Sequence, residues 1–149
     1  MKKNVKSYGV RTDKSMQTWM QLSRAFYKIS TKEIHYFAQN DLTLNQFKVL
    51  EVLYHRGNLN IGSITKLTMS TPGNITVVVR NLKRDGWIYT VKDENDKRST
   101  LLSISPKGTE VIDRIFPTHS KNLTSNFKIL NDEELNTLYI LLRKLHKSQ

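Results

Sequence analysis

Between Thr71 and Arg84 the chain sets short polar side chains ahead of three cations: Thr71, Asn74 and Thr76, then Arg80, Lys83 and Arg84. On a helix, residues three and four apart share a face, so Gly73, Thr76, Val77, Arg80 and Arg84 align on one side. Near such a helix's N-terminus, free N–H groups and the positive dipole end hold a phosphate, and short side chains reach base edges. Lys66 and Ser70, just ahead, extend the same candidate DNA-binding set. A second candidate follows at Asp93 to Arg98, where Lys97 and Arg98 project from a narrow loop toward a minor groove or its phosphates. Asp93 and Asp96 then shape the turn by bonding nearby backbone N–H groups. The plainer alternative for both stretches is a set of ordinary solvated surface charges.

Composition favours the first reading and removes much other chemistry. The counts of 24 Lys plus Arg against 13 Asp plus Glu give a formal charge of +11, which attracts polyanions. Cysteine is absent, so disulfides, thiolate metal sites and Cys nucleophiles are absent with it. His35, His55, His119 and His146 are scattered, and no His or acid pair has the helical spacing of a metal motif. Acids gathered by folding leave a metal-sensing regulator open as a lesser alternative. No Gly-rich phosphate loop or nucleophile elbow is present, so the sequence points to neither a catalytic residue nor a cofactor. The apolar share of 38% suits a folded domain, with no run of about eighteen apolar residues to span a membrane. Lacking a signal-peptide pattern behind its basic N-terminus, the chain is expected in the cytoplasm.

The elements that must position these residues follow from periodicity and punctuation. After a polar arm to about Ser15, Met16, Trp19, Met20, Phe26, Tyr27, Ile34 and Phe37 predict a long first helix. Thr43 with Gln46 forms a capping box for a helix carrying Phe47, Leu50, Leu53 and Tyr54 on one face and ending at Gly57. Asn60 to Thr68 reads as a short helix with Ile61, Ile64 and Leu67 inward. From Thr71 to Gly86 the β-formers Ile75, Thr76, Val77, Val78 and Val79 suggest a strand. However, Thr71 suits an N-cap, Pro72 the first helical position and Gly86 a left-handed C-terminal cap. A helix with Ile75, Val78, Val79 and Leu82 buried satisfies both punctuation and periodicity. Trp87–Val91 and Ser99–Ile104 then read as a hairpin. Ser105 and Pro106 open a further helix with a bend or break expected at Pro117, and Asn131 with Glu134 caps a last one. The fold expected is mainly α, of α+β type: a winged helix-turn-helix with N- and C-terminal dimerisation helices.

The stretches LTLNQFKVLEVLYHRG at Leu42 to Gly57, STPGNITVVVRNLKRDGWI at Ser70 to Ile88 and DENDKRSTLLSISPKG at Asp93 to Gly108 resemble the MarR family of bacterial regulators. The likeness runs across nearly the whole chain. It implies one domain over residues 1–149, with a DNA-binding lobe at 42–104 and dimerisation helices at 13–39 and 106–147. It further implies a recognition helix within Thr71 to Asp85, a wing carrying Asp96 and Arg98, and an obligate homodimer. Two positions depart from the family pattern: Val77 stands where members often carry a basic residue, and Arg80 where they often carry an acidic one. Val77 suits a thymine methyl and Arg80 a phosphate or guanine.

The last helix's Leu135, Leu138, Leu141, Leu142 and Leu145 form an apolar seam spaced for a facing helix. That seam either joins a second copy or packs on the first helix within one protomer. A two-fold dimer places two recognition helices roughly 34 Å apart and calls for a pseudo-palindromic operator in double-stranded DNA. The resemblance also implies a pocket for a small aromatic or phenolic effector that relieves repression. Trp19, Phe26, Tyr27, Tyr54 and Phe116 are its candidate ligand-binding residues, each equally at home in a core. Two rivals remain: a membrane-surface protein using its basic arm, and a winged-helix interaction module without specific DNA binding.

Overall fold

The computed structural model describes residues 6–94, 96 and 99–148. Six helices and one hairpin follow in the order α1 (Val10–Ala38), α2 (Leu44–Arg56), α3 (Ile61–Thr68), α4 (Pro72–Arg84), β1 (Ile88–Lys92), β2 (Thr100–Ile104), α5 (Pro106–Phe127) and α6 (Asp132–Lys147). The fold is mostly helical with a small antiparallel sheet, as the sequence led us to expect.

Helix α1 starts earlier than its apolar pattern indicated. Gly9 turns the chain at φ 103° without a side-chain cap. Asp13 supplies what Gly9 lacks, accepting from the Tyr8 N–H at 2.9 Å and from the Ser7 hydroxyl at 2.5 Å. These bonds, the Ser7 one foremost, hold the Asp13 carboxyl below its ordinary pKa. An acid in the first turn also complements the helix dipole. The Thr43–Gln46 box ahead of α2 is fully formed, with Gln46 N–H donating to Thr43 Oγ1 at 3.1 Å and Thr43 N–H to Gln46 Oε1 at 2.9 Å.

The core lies where α1, α2 and α5 meet the α3–α4 pair. Phe37, Phe47, Leu50, Leu53, Ile64, Ile75, Leu82, Ile112 and Ile115 are fully buried there, and the Phe37 and Phe47 rings stack with centroids 4.1 Å apart. Helix α4 settles the conflict between its β-formers and its punctuation. Thr71 Oγ1 accepts from the Asn74 N–H, Pro72 opens the first turn, and Gly86 follows the helix at φ 75°. Ile75, Val78, Val79 and Leu82 are buried, each gaining about 1.5–3 kcal/mol. The helix-propensity deficit of a β-branched residue is at most about 0.7 kcal/mol, so burial wins.

Strands β1 and β2 pair with Ile88 opposite Ile104 and Val91 opposite Leu101. Leu59 bridges to Leu102 through two backbone hydrogen bonds of 3.1 and 2.8 Å, fastening the hairpin to the α2–α3 connection. Its base is tied to α5: Ser105 Oγ donates to Gly86 O at 2.7 Å and Lys107 Nζ to Asp85 O at 2.8 Å.

Four expectations about packing need correction. On α3, Ile61 and Leu67 are exposed. Thr68 takes the inward position, because its hydroxyl bonds to Ile64 O at 2.8 Å and carries no unmet polar group into the core. Tyr54 is partly exposed at the edge of α2, and Val49 fills the interior beside Leu50. Pro117 does not break α5, which runs unbroken from Pro106 to Phe127. A proline inside a helix costs about 3 kcal/mol, and burial of Ile112, Ile115 and His119 on both sides of it offsets that cost. Finally, α6 buries no residue, so its leucine seam is not consumed by packing on α1 within the protomer.

Candidate nucleic-acid interface

Helix α4 presents two chemically distinct faces, and the interface is built on the exposed one. Gly73, Asn74, Thr76, Val77, Arg80, Lys83 and Arg84 are all exposed, opposite the buried Ile75, Val78, Val79 and Leu82. The side chain of Asn74 has no partner among the described residues, which leaves both its amide donor and its carbonyl acceptor for a base edge. The Thr76 hydroxyl donates to Pro72 O at 2.8 Å, so it offers outward its methyl and its acceptor oxygen. Around Gly73 nothing lies within 4 Å of the place a Cβ would occupy, so another backbone can approach closely there.

The cations along this face differ in availability. Arg84 forms a two-pronged pair with Asp85 at 2.9 and 3.2 Å. That pairing raises the Arg84 pKa further and lowers that of Asp85, the hydrogen bond being the main cause in both. Arg80 and Lys83 make no ion pair among the described residues, and they are the cations this helix holds ready for phosphate. Ahead of α4, Lys66 is exposed on α3. Ser70 is half-buried and accepts from Thr68 Oγ1 at 3.0 Å, and Met69 makes the turn in the left-handed region at φ 53°. At the hairpin, Asp93 N–H donates to Ser99 O at 3.3 Å and Ser99 N–H to Asp96 O at 2.8 Å, so both acids close the turn through their backbones. Lys97 and Arg98 lie outside the described residues.

The five aromatic ligand candidates do not form one cluster. Trp19, Phe26 and Tyr27 are 68%, 72% and 73% exposed along α1. Tyr54 and Phe116 flank His55, with ring centroids 5.0 and 5.1 Å from it, and no ring contact joins them to the other three among the described residues. The Tyr54 hydroxyl donates to Asp113 Oδ1 at 2.6 Å, and that bond, reinforced by the Asp113 charge, raises the tyrosine's pKa. Reading the sequence missed a buried pair linking α1 to α5. His119 Nδ1 lies 2.5 Å from Glu33 Oε2, and both residues are more than nine-tenths buried. The signal was present in the position of His119 on the buried Ile112–Ile115 stripe of α5. Among the described residues no group of three or more His, Asp or Glu is placed to hold a metal ion, and no helix is long and apolar enough to cross a membrane.

A short helix, a tight turn, a two-faced second helix and a docked hairpin define the class: a winged helix-turn-helix protein, whose second helix is the groove reader. Residues 42–100 match the family model described as MarR family. The chain is 31% identical over 132 residues to the HTH-type transcriptional regulator YkoM of Bacillus subtilis, covering 89% of this chain and 86% of that one. The structure of Bordetella bronchiseptica BpsR, whose DNA binding is regulated by 6-hydroxynicotinic acid, superposes with a TM-score of 0.75 at 26% identity, covering 88% of this chain and 99% of that one. An Escherichia coli MarR variant complexed with operator DNA shares the fold, with a TM-score of 0.72 at 23% identity over 86% of this chain and 95% of that one. This chain belongs to the MarR family of DNA-binding transcription regulators.

Proposed function

We propose that the protein is a cytoplasmic, non-enzymatic repressor that binds a pseudo-palindromic operator in double-stranded DNA as a homodimer and leaves it when a small aromatic or phenolic ligand binds. Asn74, Thr76 and Val77 read base edges in the major groove, while Thr71, Gly73, Arg80 and Arg84 meet the flanking backbone. Lys66 and Ser70 add contacts beside the turn, and Lys97 and Arg98 add them at the wing. Residues 13–39 and 106–147 join the two protomers. The observation that carries this reading is the exposed face of α4, with Asn74 unpartnered and Arg80 outside any ion pair among the described residues.

Two further observations support the dimer and its ligand. The leucines of α6 and the aromatic side chains of α1 stand uncovered in the single chain, an extent of exposed apolar surface that marks an interface. The BpsR neighbour is regulated by a small heteroaromatic acid, a chemistry for which Trp19, Phe26, Tyr27, Tyr54 and Phe116 offer ring surface and occasional polar handles. Such a ligand lifts repression by favouring a conformer unable to bind DNA. Selection of bound genomic fragments, followed by gel shift on the selected site, tests the whole reading. Asn74→Ala is expected to cost about 1–3 kcal/mol on the preferred operator and to relax base preference, whereas Arg98→Ala weakens every sequence alike. Retention on anionic vesicles with no preference among DNA fragments refutes it.

A further inference from the structure

Helices α1 and α5 enclose a cleft of about 480 Å³, lined in part by Lys32, Glu33, Tyr36, Gln39, Asn122 and Asn126. That volume suits a small organic molecule. The cleft contains none of the five aromatic candidates, and its chemistry differs from theirs. Two polar atoms in its lining residues are buried without a hydrogen-bond partner: Glu33 Oε1, an acceptor, and Asn126 Nδ2, a donor. Native proteins leave few buried polar groups unmet, and each one asks for an explanation.

Both orphans have fixed identities. Glu33 commits its other oxygen to His119 Nδ1 at 2.5 Å and is only 6% exposed, so its carboxyl group is anchored on one side and unmet on the other. Asn126 Oδ1 accepts from Lys32 Nζ at 3.0 Å. Because an ammonium only donates, this bond fixes which end of the amide is oxygen and leaves Nδ2 as the unused donor. Tyr36 spends its hydroxyl proton on Ile115 O at 2.8 Å and presents only an acceptor oxygen. The unmet need is therefore for one added donor beside Glu33 and one added acceptor beside Asn126. A simple carboxylate supplies no donor and meets a like charge at Glu33. A primary or secondary amide carries both groups on adjacent atoms without charge.

We propose that the α1–α5 cleft is a binding site for a small uncharged amide or lactam, which donates its N–H to Glu33 Oε1 and accepts from Asn126 Nδ2 through its carbonyl. The site rests on this geometry and not on the DNA-reading role of α4. Benzamide and benzoate, which share shape and differ in donor and charge, are the probes, titrated into the full chain by calorimetry and by NMR. Benzamide is expected to bind saturably at millimolar concentration with transfer contacts to the Tyr36 ring, and benzoate at least about tenfold more weakly. Asn126→Asp, which replaces the donor by an acceptor, is expected to weaken benzamide by about tenfold or more with an unchanged circular-dichroism spectrum. If that variant unfolds, the Tyr36 contacts and the benzamide-to-benzoate ratio in the natural sequence decide alone. Absence of saturable binding overturns the site, as it would if solvent or a second copy of the chain already satisfied both atoms. Equal affinity for the two probes, or a folded Asn126→Asp protein that binds benzamide undiminished, overturns it as well. Operator binding by gel shift is unaffected by any of these outcomes, so failure of this site and failure of the DNA-reading proposal are separately visible.

Discussion

Gly73 and Gly108 each sit near the start of a helix, yet an added methyl group has opposite consequences at the two. At Gly108 a Cβ would stand 2.3 Å from Trp87 O and 2.8 Å from Ile104 Cγ1, so the residue is small because the hairpin base packs against it. Gly108→Ala is expected to lower the unfolding free energy by about 1–3 kcal/mol, read from urea denaturation, because backbone cannot yield as a side-chain tip can. At Gly73 nothing stands within 4 Å, so the free protein has no packing reason for glycine there. Gly73→Ala should therefore stabilise the free protein by about 0.5–1 kcal/mol. It should also weaken operator binding, since the added methyl points to where the DNA backbone must approach. A gel shift in which affinity rises together with stability would place the DNA elsewhere.

Elements were legible in the sequence wherever local punctuation and burial agreed. Thr71, Pro72 and Gly86 bounded α4 despite its run of valines, and Asn131 with Glu134 marked the start of α6, where both reciprocal bonds form at 2.9 Å. The candidate DNA face was readable for the same reason, since it is the complement of a buried stripe on a helix with known ends. Legibility failed where tertiary contacts overrule local rules. The start of α1 depends on Asp13 reaching back to Ser7 and Tyr8, an arrangement no capping-box pattern encodes. Glu33 and His119 are 86 residues apart in sequence, so only the folded chain brings them together. Pro117 misled because a residue's own helix penalty says nothing of the burial on either side of it. Pro117→Ala offers a measure of that competition. Restoring a backbone donor and removing the ring clash should raise the unfolding free energy by about 1–2 kcal/mol, after allowance for the greater freedom of the unfolded chain. A fall in calorimetric stability would instead show that the packing of α5 requires the shape proline imposes.

At the scale of the whole molecule, charge and symmetry combine in one measurable quantity. A formal charge of +11 makes electrostatic attraction to DNA a large part of binding. Each phosphate neutralised releases counterions and adds about 0.9 to the slope of log K against log salt. A two-fold dimer carries every side chain twice. If Arg80, unpaired among the described residues, meets a phosphate in each half-site, Arg80→Ala should reduce the magnitude of the slope by about 1.8, whereas a single bound protomer loses about 0.9. Light scattering at micromolar concentration supplies the independent check, expected at twice the 17.4 kDa chain mass. The same titration distinguishes the two contacts open to Arg80. A guanine contact leaves the slope nearly unchanged while flattening preference at one operator position, because a base edge holds no condensed counterions to release. A change of about 0.9 together with a dimeric mass would mean that only one recognition helix engages at a time, and the pseudo-palindromic operator would then have to be abandoned.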